Sequence, residues 1–475
     1  MPDPTDSVSS EPIPHNPKDS STPITGAFIK SYAADQLLLD CPKIVLTQHL
    51  PHEPRIIRGK GMISLLGHSQ FQLRMYSDGA SIPSFEHFKS WAKWVQGEVI
   101  PEHDYFNLEA TDLSGNKWQN QKILIDPHGS NGEVITATFN ELTYRVSGLT
   151  PTLAPSLRMY FFQTLDIPYT KYLDTTTRSG DKMLERSVSL DMTSFEIDTL
   201  HFDFKKVRPE ESTTILIVHS DSDAFPEAIE ARIEECLRYV TFRPLSCCIV
   251  DKQNLGTRDV IVRPRHKTEK GLFDEPLDSN PAFANDYWRL FSDYFRHIAS
   301  YTDRLKYHPL SAQLFPVISP GTKQLHIAGL LVSVAVEGIL NSEFPDLGKP
   351  SGAFITNLNH VLTLIRRIKC IDKTMSARFT GAVNAMKSAR AKDKLKVLAE
   401  QSVVTKAMVD AWDELRNTTA HASIHVDEGD IQALWSRCNT VYTLLNKLVF
   451  LAIGYSGKYR DYSARDWPVV DFRAS

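Results

Sequence analysis

Hydrophobic positions along this chain change their period once, near residue 280. Between Lys43 and Arg263 they alternate. Phe71, Leu73 and Met75 are separated by polar neighbours, as are Ile135, Ala137 and Phe139, and again Val188, Leu190 and Met192. A period of two puts one face of a strand on a core. Turn residues punctuate these runs at Asp78-Gly79, Ser114-Gly115-Asn116 and Asn131-Gly132. Thr214 to Val218 reads as a buried strand. One helix is expected here, because Ile229, Ile233, Cys236, Leu237 and Val240 form a single apolar stripe.

After residue 280 the spacing is helical. Stripes run through Tyr287–Tyr301, His326–Leu340, Phe354–Ile365 and Val404–Leu415. The clearest joins Ile431, Leu434, Trp435, Cys438, Val441, Tyr442 and Leu445, with Asp430 placed as its cap. About five helices on short connections make a bundle. The expected fold is therefore α+β and multidomain, a β-rich, sandwich-like unit with few helices followed by an all-α bundle. Its parts are a Pro- and Ser-rich disordered arm over 1–27, the β-rich unit over 43–263, a charged Pro- and Gly-containing linker over 264–281, the bundle over 282–455 and a tail over 456–475.

Composition narrows the function classes. A formal charge of −4 over 475 residues excludes a chain that coats nucleic acid electrostatically, so contact with RNA needs a local patch. The six cysteines contain no C-x-x-C pair, which excludes a zinc or disulfide framework and predicts buried thiols. The two most apolar stretches, 325–340 and 441–455, are shorter than the ~20 residues of a membrane span and are interrupted by Glu337 and Lys447. A cytoplasmic protein without a membrane anchor is expected. P-loop, Rossmann and G-x-S-x-G patterns are absent.

Chemistry concentrates in Leu415-Arg416-Asn417-Thr418-Thr419-Ala420-His421, the one R-x4-H of the chain. By spacing alone about one such pair is expected by chance. Its residue types suit RNA cleavage. An imidazole exchanges a proton at neutral pH, and a guanidinium fork matches two phosphate oxygens without a metal. On a continuous helix, however, residues five apart diverge by about 140°. The chain must therefore break between them, with Thr418-Thr419 the candidate break, or two copies must meet.

The R-N-x-x-A-H string resembles the signature of the HEPN superfamily of helical, often metal-independent ribonucleases, over about residues 282–455. The resemblance implies a metal-independent endoribonuclease with no cofactor and an RNA substrate. It implies a homodimer or higher homo-oligomer with a composite site, in which His421 is acid/base, Arg416 stabilises the transition state and Asn417 orients the phosphate or Arg416. Glu337, in a helix about 80 residues upstream, takes the place of the acidic residue that holds the motif Arg. A β-rich half before such a bundle is similar to the ApeA class of bacterial anti-phage proteins, and Ile57-Arg58-Gly59-Lys60-Gly61-Met62-Ile63 looks like that class's glycine-marked early strand. This second likeness implies defence by abortive infection, in the manner of a toxin, set off by a phage-derived trigger.

Other readings stay open. A non-catalytic dimerisation or RNA-binding bundle with a ligand-sensing β unit fits the same pattern. His421 and His425, with Asp427 close by, have the i, i+4 spacing of a helical zinc site, but no further ligand cluster accompanies them. His326, Ser333 and Glu337 share a helical face, either as a core network or as the lining of a groove for Arg416. Arg366, Arg367, Lys369, Lys387, Arg390, Lys392, Lys394 and Lys396 form either a solvated face or a path for phosphates. Phe85, Phe88, Trp91 and Trp94 read as core rather than as a base-stacking platform.

Overall fold

The computed structural model describes residues 22–50, 52–67, 69–78, 99–126, 133–149, 154–179, 182–207, 213–222, 224–265, 270–319, 323–368, 372–420 and 431–473. The chain divides into two compact units. The first comprises residues 1–226 and 245–268, and the second 227–244 and 269–475.

The first unit opens with α1 (Gly26–Ala33), whose first turn is capped by Thr25 accepting from the Phe28 N–H. Fourteen described strands follow. They are β1 (Leu38–Gln48), β2 (Ile56–Leu66), β3 (Gln70–Ser77), β4 (Phe106–Thr111), β5 (Lys117–Ile125), β6 (Val134–Phe139) and β7 (Leu142–Ser147). Then come β8 (Ser156–Phe161), β9 (Lys171–Ser179), β10 (Lys182–Ile197), β11 (Leu200–Val207), β12 (Thr213–Ser220), β13 (Ile249–Asn254) and β14 (Thr257–Val262). A sandwich was the expectation. Instead all fourteen belong to one antiparallel sheet, ordered β4-β1-β2-β3-β6-β5-β7-β14-β13-β8-β12-β11-β10-β9. An extra β4–β5 pairing closes the first six into a barrel. Strand β5 makes the branch, giving Leu124 and Ile125 to β6 but Trp118 and Gln119 to β7.

The barrel core holds Phe71, Leu73, Met75, Ile135 and Ala137, all essentially inaccessible as the alternation predicts. Trp118 is fully buried and stacks on Phe28 of α1. Its Nε1 donates to Asp112, which also accepts from Ser114 and Asn116 and so sets the predicted turn. Asp78-Gly79 and Asn131-Gly132 fall partly or wholly outside the described residues, and so does the Phe85–Trp94 aromatic group.

The second unit contains α2 (Ile229–Thr241), α3 (Ala284–Ile298), α4 (Pro309–Ile318), α5 (Leu325–Ser342), α6 (Gly352–Arg367), α7 (Lys373–Ala385), α8 (Ala391–Glu400), α9 (Lys406–Ala420) and α10 (Ile431–Ile453). A hairpin of β15 (Gly457–Arg460) and β16 (Val469–Phe472) ends it. Helix α5 lies in the middle, against α4, α8, α9 and α10. It is long and apolar enough to cross a membrane, yet eight of its residues are buried against these neighbours, the state of a core helix. Gly329 permits the approach, since a Cβ there would stand 3.0 Å from Leu415 Cδ1.

Several boundaries differ from the sequence reading. The α2 stripe packs against α3 and α4, so this helix belongs to the helical unit although strands flank it in sequence. The expected linker is not solvated throughout, because Phe273 and Leu277 are buried and Phe273 stacks on Tyr442. The expected tail is folded, with Tyr459 and Phe472 packed on Phe450. At the other end, Ile24 puts the end of the supposed arm into the core. The five described cysteines are buried and outside any disulfide among the described residues, and Cys370 lies outside those residues.

Candidate active site

Helix α9 begins where Thr405 Oγ1 accepts from the Met408 N–H. It buries Met408, Val409, Trp412 and Leu415 on one face. Arg416, one residue beyond that face, comes out at the rim with its side chain 46 % exposed. The residues of α5 that meet it were singled out as a polar stripe. Ser333 and Glu337 are one helical turn apart on α5, and Trp412 and Arg416 are one turn apart on α9. The two pairs face each other. Trp412 Nε1 donates to the Ser333 carbonyl at 3.1 Å, and Arg416 Nη2 donates to Glu337 Oε2 at 2.9 Å. The guanidinium carbon stands 5.7 Å from the centre of the Trp412 ring.

This geometry fixes the Arg416 head on two sides, a carboxylate at one edge and an indole below. Trp412 is 2 % exposed, so the indole is a rigid floor. Glu337 is one-third exposed and Arg416 nearly half, and a pair that wet contributes only about 0–1 kcal/mol to stability. Its effect is therefore on orientation. Ser333 hydrogen-bonds within its own helix, Oγ to the Gly329 carbonyl at 2.8 Å, while its carbonyl receives Trp412. Within the stripe, Ser333 thus belongs to the core and Glu337 supports Arg416.

Asn417 is exposed on the next position of α9. The break expected at Thr418-Thr419 does not occur. Helix α9 continues through Ala420, and Thr418 Oγ1 donates to the Glu414 carbonyl, the i−4 bond that lets a hydroxyl residue sit inside a helix. Arg416 therefore lies within the helix rather than past its end. His421 lies outside the described residues, as do His425, Asp427 and Asp430. The structure thus brings Glu337 of α5 and Arg416 of α9 together, and places Asn417 next to Arg416 on α9.

The basic residues near the site divide. Lys394 is 4 % exposed, and burial pushes its pKa down. Its Nζ donates to the Leu340 carbonyl, tying α8 to the end of α5. Lys392 pairs with Asp413 of α9 at 2.7 Å, which raises its pKa. Arg366, Arg367, Arg390 and Lys396 are exposed, Lys387 is intermediate and Lys369 lies outside the described residues. These positions sit on or beside α6, which the stripe through Phe354–Ile365 predicts, and α7 and α8, which the sequence pattern did not separate from connections. Across the α9–α10 contact, Glu414 pairs with Arg437 at 3.0 Å.

Trp412 is the residue of the candidate site that the sequence pattern did not single out. It was assigned only to the apolar stripe, although its position four before Arg416 was the signal for a ring beneath a guanidinium. No family model, no curated protein and no solved structure matches the chain.

Proposed function

We propose that the helical unit is a metal-independent endoribonuclease of the HEPN type. The observation that supports this reading is the Glu337–Arg416 ion pair over Trp412. It gives the motif Arg the fixed, half-exposed setting that a phosphate-binding guanidinium needs. In this reading His421 takes the proton from the ribose 2′-hydroxyl. The 2′-oxygen bonds to phosphorus, the P–O5′ bond breaks, and a proton is delivered to the leaving 5′-oxygen. The products are a 2′,3′-cyclic phosphate and a 5′-hydroxyl. Arg416 neutralises charge on the phosphorane, Asn417 orients the phosphate and Glu337 positions Arg416.

In this reading the arrangement is composite, with the motifs of two copies supplying one site; helix α9 runs through Ala420 without the break at Thr418-Thr419 that a one-chain site was expected to use. The biological setting proposed is anti-phage defence by growth arrest, with the β-rich unit as the sensor of a phage-derived trigger.

Purified protein is mixed with RNA and EDTA together, and cleavage is compared for wild type, Arg416→Ala, Arg416→Lys and His421→Ala. The expected loss is about 10²–10³-fold for the two alanine variants. Arg416→Lys should recover little, since an ammonium lacks the planar fork. Equal RNA decay in all four overturns the assignment. It would favour a non-catalytic dimerisation module, to which the exposed Phe354, Val361, Leu364, Met375 and Phe379 of α6 and α7 are suited.

A further inference from the structure

We propose that His297, His308 and Glu343 form a site for a divalent first-row transition metal ion, of which zinc is the type. This site is separate from the Arg416 site, and nothing in the proposed cleavage chemistry uses it. Three helix ends converge to build it. His297 lies in the last turn of α3, His308 is the N-cap of α4 and Glu343 is the C-cap of α5. One ligand atom from each lies within 4.8 Å of the others. His297 Nε2 and Glu343 Oε2 are 3.1 Å apart, and the two imidazole rings stand 5.3 Å apart at 70°.

These separations suit coordination. Ligand atoms about 2.1 Å from a tetrahedral ion are about 3.4 Å from one another. The His297–Glu343 pair is already at that spacing, and His308 needs only a side-chain adjustment of about 1.4 Å at most to reach it. Two imidazoles and one carboxylate are also the donor set found around zinc with a fourth position left for water. Partial burial keeps the ligands ordered while leaving an entry path, since His297 is 25 % and Glu343 12 % exposed.

The surrounding electrostatics favour a cation. Two of the three converging ends, those of α3 and α5, are C-terminal and present the negative end of the helix dipole. Arg232, whose charge acts on His308, is held by Glu235 at 3.0 Å, with both side chains almost fully buried. One local bond opposes loading. His308 Nδ1 accepts from the Leu310 N–H at 3.2 Å, and coordination through either ring nitrogen ends that cap. One capping bond is exchanged for coordination bonds, a favourable trade.

The experiment uses the full-length chain. Protein freed of metal by chelator and dialysis is titrated with ZnCl₂ and with Co²⁺, and bound metal is counted by elemental analysis. One equivalent per chain is expected, with a Co²⁺ visible spectrum of low coordination number. Glu343→Gln, His297→Gln and His308→Ala should each weaken zinc binding at least ten-fold with unchanged circular dichroism, whereas Arg416→Ala should bind zinc as wild type does. Absence of stoichiometric binding, or binding retained in all three ligand variants, overturns the proposal. Should a variant fail to fold, zinc-edge X-ray absorption on the wild type decides. A shell with two imidazoles and no sulfur supports the site, and any other shell refutes it.

Discussion

Gly59 and Gly61 stand one residue apart on β2, opposite a bulge in β1 where the register steps from Cys41 to Ile44 around Pro42 and Lys43. On their other side, a Cβ at Gly59 would lie 2.0 Å from the Tyr76 carbonyl oxygen, and one at Gly61 2.1 Å from that of Arg74. Backbone atoms cannot yield as a side-chain tip can. The G-K-G pattern was legible in the sequence only as a likeness. Its physical reason is the close passage of three strands where the barrel curls. Gly61→Ala should therefore cost about 1–3 kcal/mol, read as a lower midpoint in chemical denaturation. At Arg416 the expectation is reversed, with activity falling and stability held. Glu337→Gln removes an ion pair that contributes about 1 kcal/mol at most but lets the guanidinium swing. Cleavage should fall between about 10- and 100-fold in kcat, with little change in KM for RNA and an unaltered melting temperature. A melting temperature that falls in step with activity would point to a structural role instead.

Elements were legible where burial is one-sided. The alternation of β3 and β6 carries through to the core, and so does the stripe of α10 at Leu434, Cys438, Val441, Tyr442 and Leu445, though not at its first member, Ile431. The pattern failed where the buried face is polar. Strand β10 was read as burying Val188, Leu190 and Met192, yet Val188 and Leu190 are exposed, and Asp191 and Thr193 of the opposite face are buried. Thr193 is satisfied there by the Thr170 hydroxyl at 3.2 Å. Hydrophobicity alone cannot anticipate that choice, because hydrogen bonding removes the cost of burying these groups. The same logic governs the β13–β14 hairpin. Asp251 and Arg258, each 4 % exposed, form a two-pronged pair at 2.8 and 2.7 Å. Asp251→Ala leaves a buried guanidinium without its counter-ion. A loss of about 3–5 kcal/mol is expected in urea denaturation. A change below about 1 kcal/mol would show that the pair is solvated in the folded protein. Helix α9 was placed correctly in sequence but ended too early, because β-branched residues were treated as breakers. The Thr418 back-bond keeps them in the helix.

At the scale of the whole molecule, the helical unit is tyrosine-rich inside. Burial holds the phenols of Tyr239, Tyr294, Tyr442, Tyr455 and Tyr462 above their ordinary pKa. In the unfolded chain these groups ionise near pH ~10, whereas in the folded unit they keep their protons. The stability they contribute is thus complete below about pH 10 and is lost as pH rises beyond it. Lys394 and Lys447, whose pKa values burial lowers, act in the opposite sense but are fewer. Exposed tyrosines ionise first, and helical circular dichroism should then collapse together with the remaining rise of tyrosinate absorbance, as one event. Ionisation of all the tyrosines with the helices intact would contradict the packing described. The division into a β-rich and a helical unit was legible from the change of period near residue 280. The true membership of α2 was not, since its stripe says only that it has a buried side and not which core receives it.

That membership has a consequence for how such a protein can be inherited or dissected. The polypeptide enters the helical unit at residue 227, leaves it at 244 and returns at 269. No single crossover in the gene can transplant the helical unit whole without carrying β13 and β14 of the other unit with it. A fragment begun after residue 268 would be expressed without the helix that carries Ile233, Leu237 and Tyr239, leaving their apolar seat bare. Exchange of this unit between proteins by recombination therefore requires that both stretches move together.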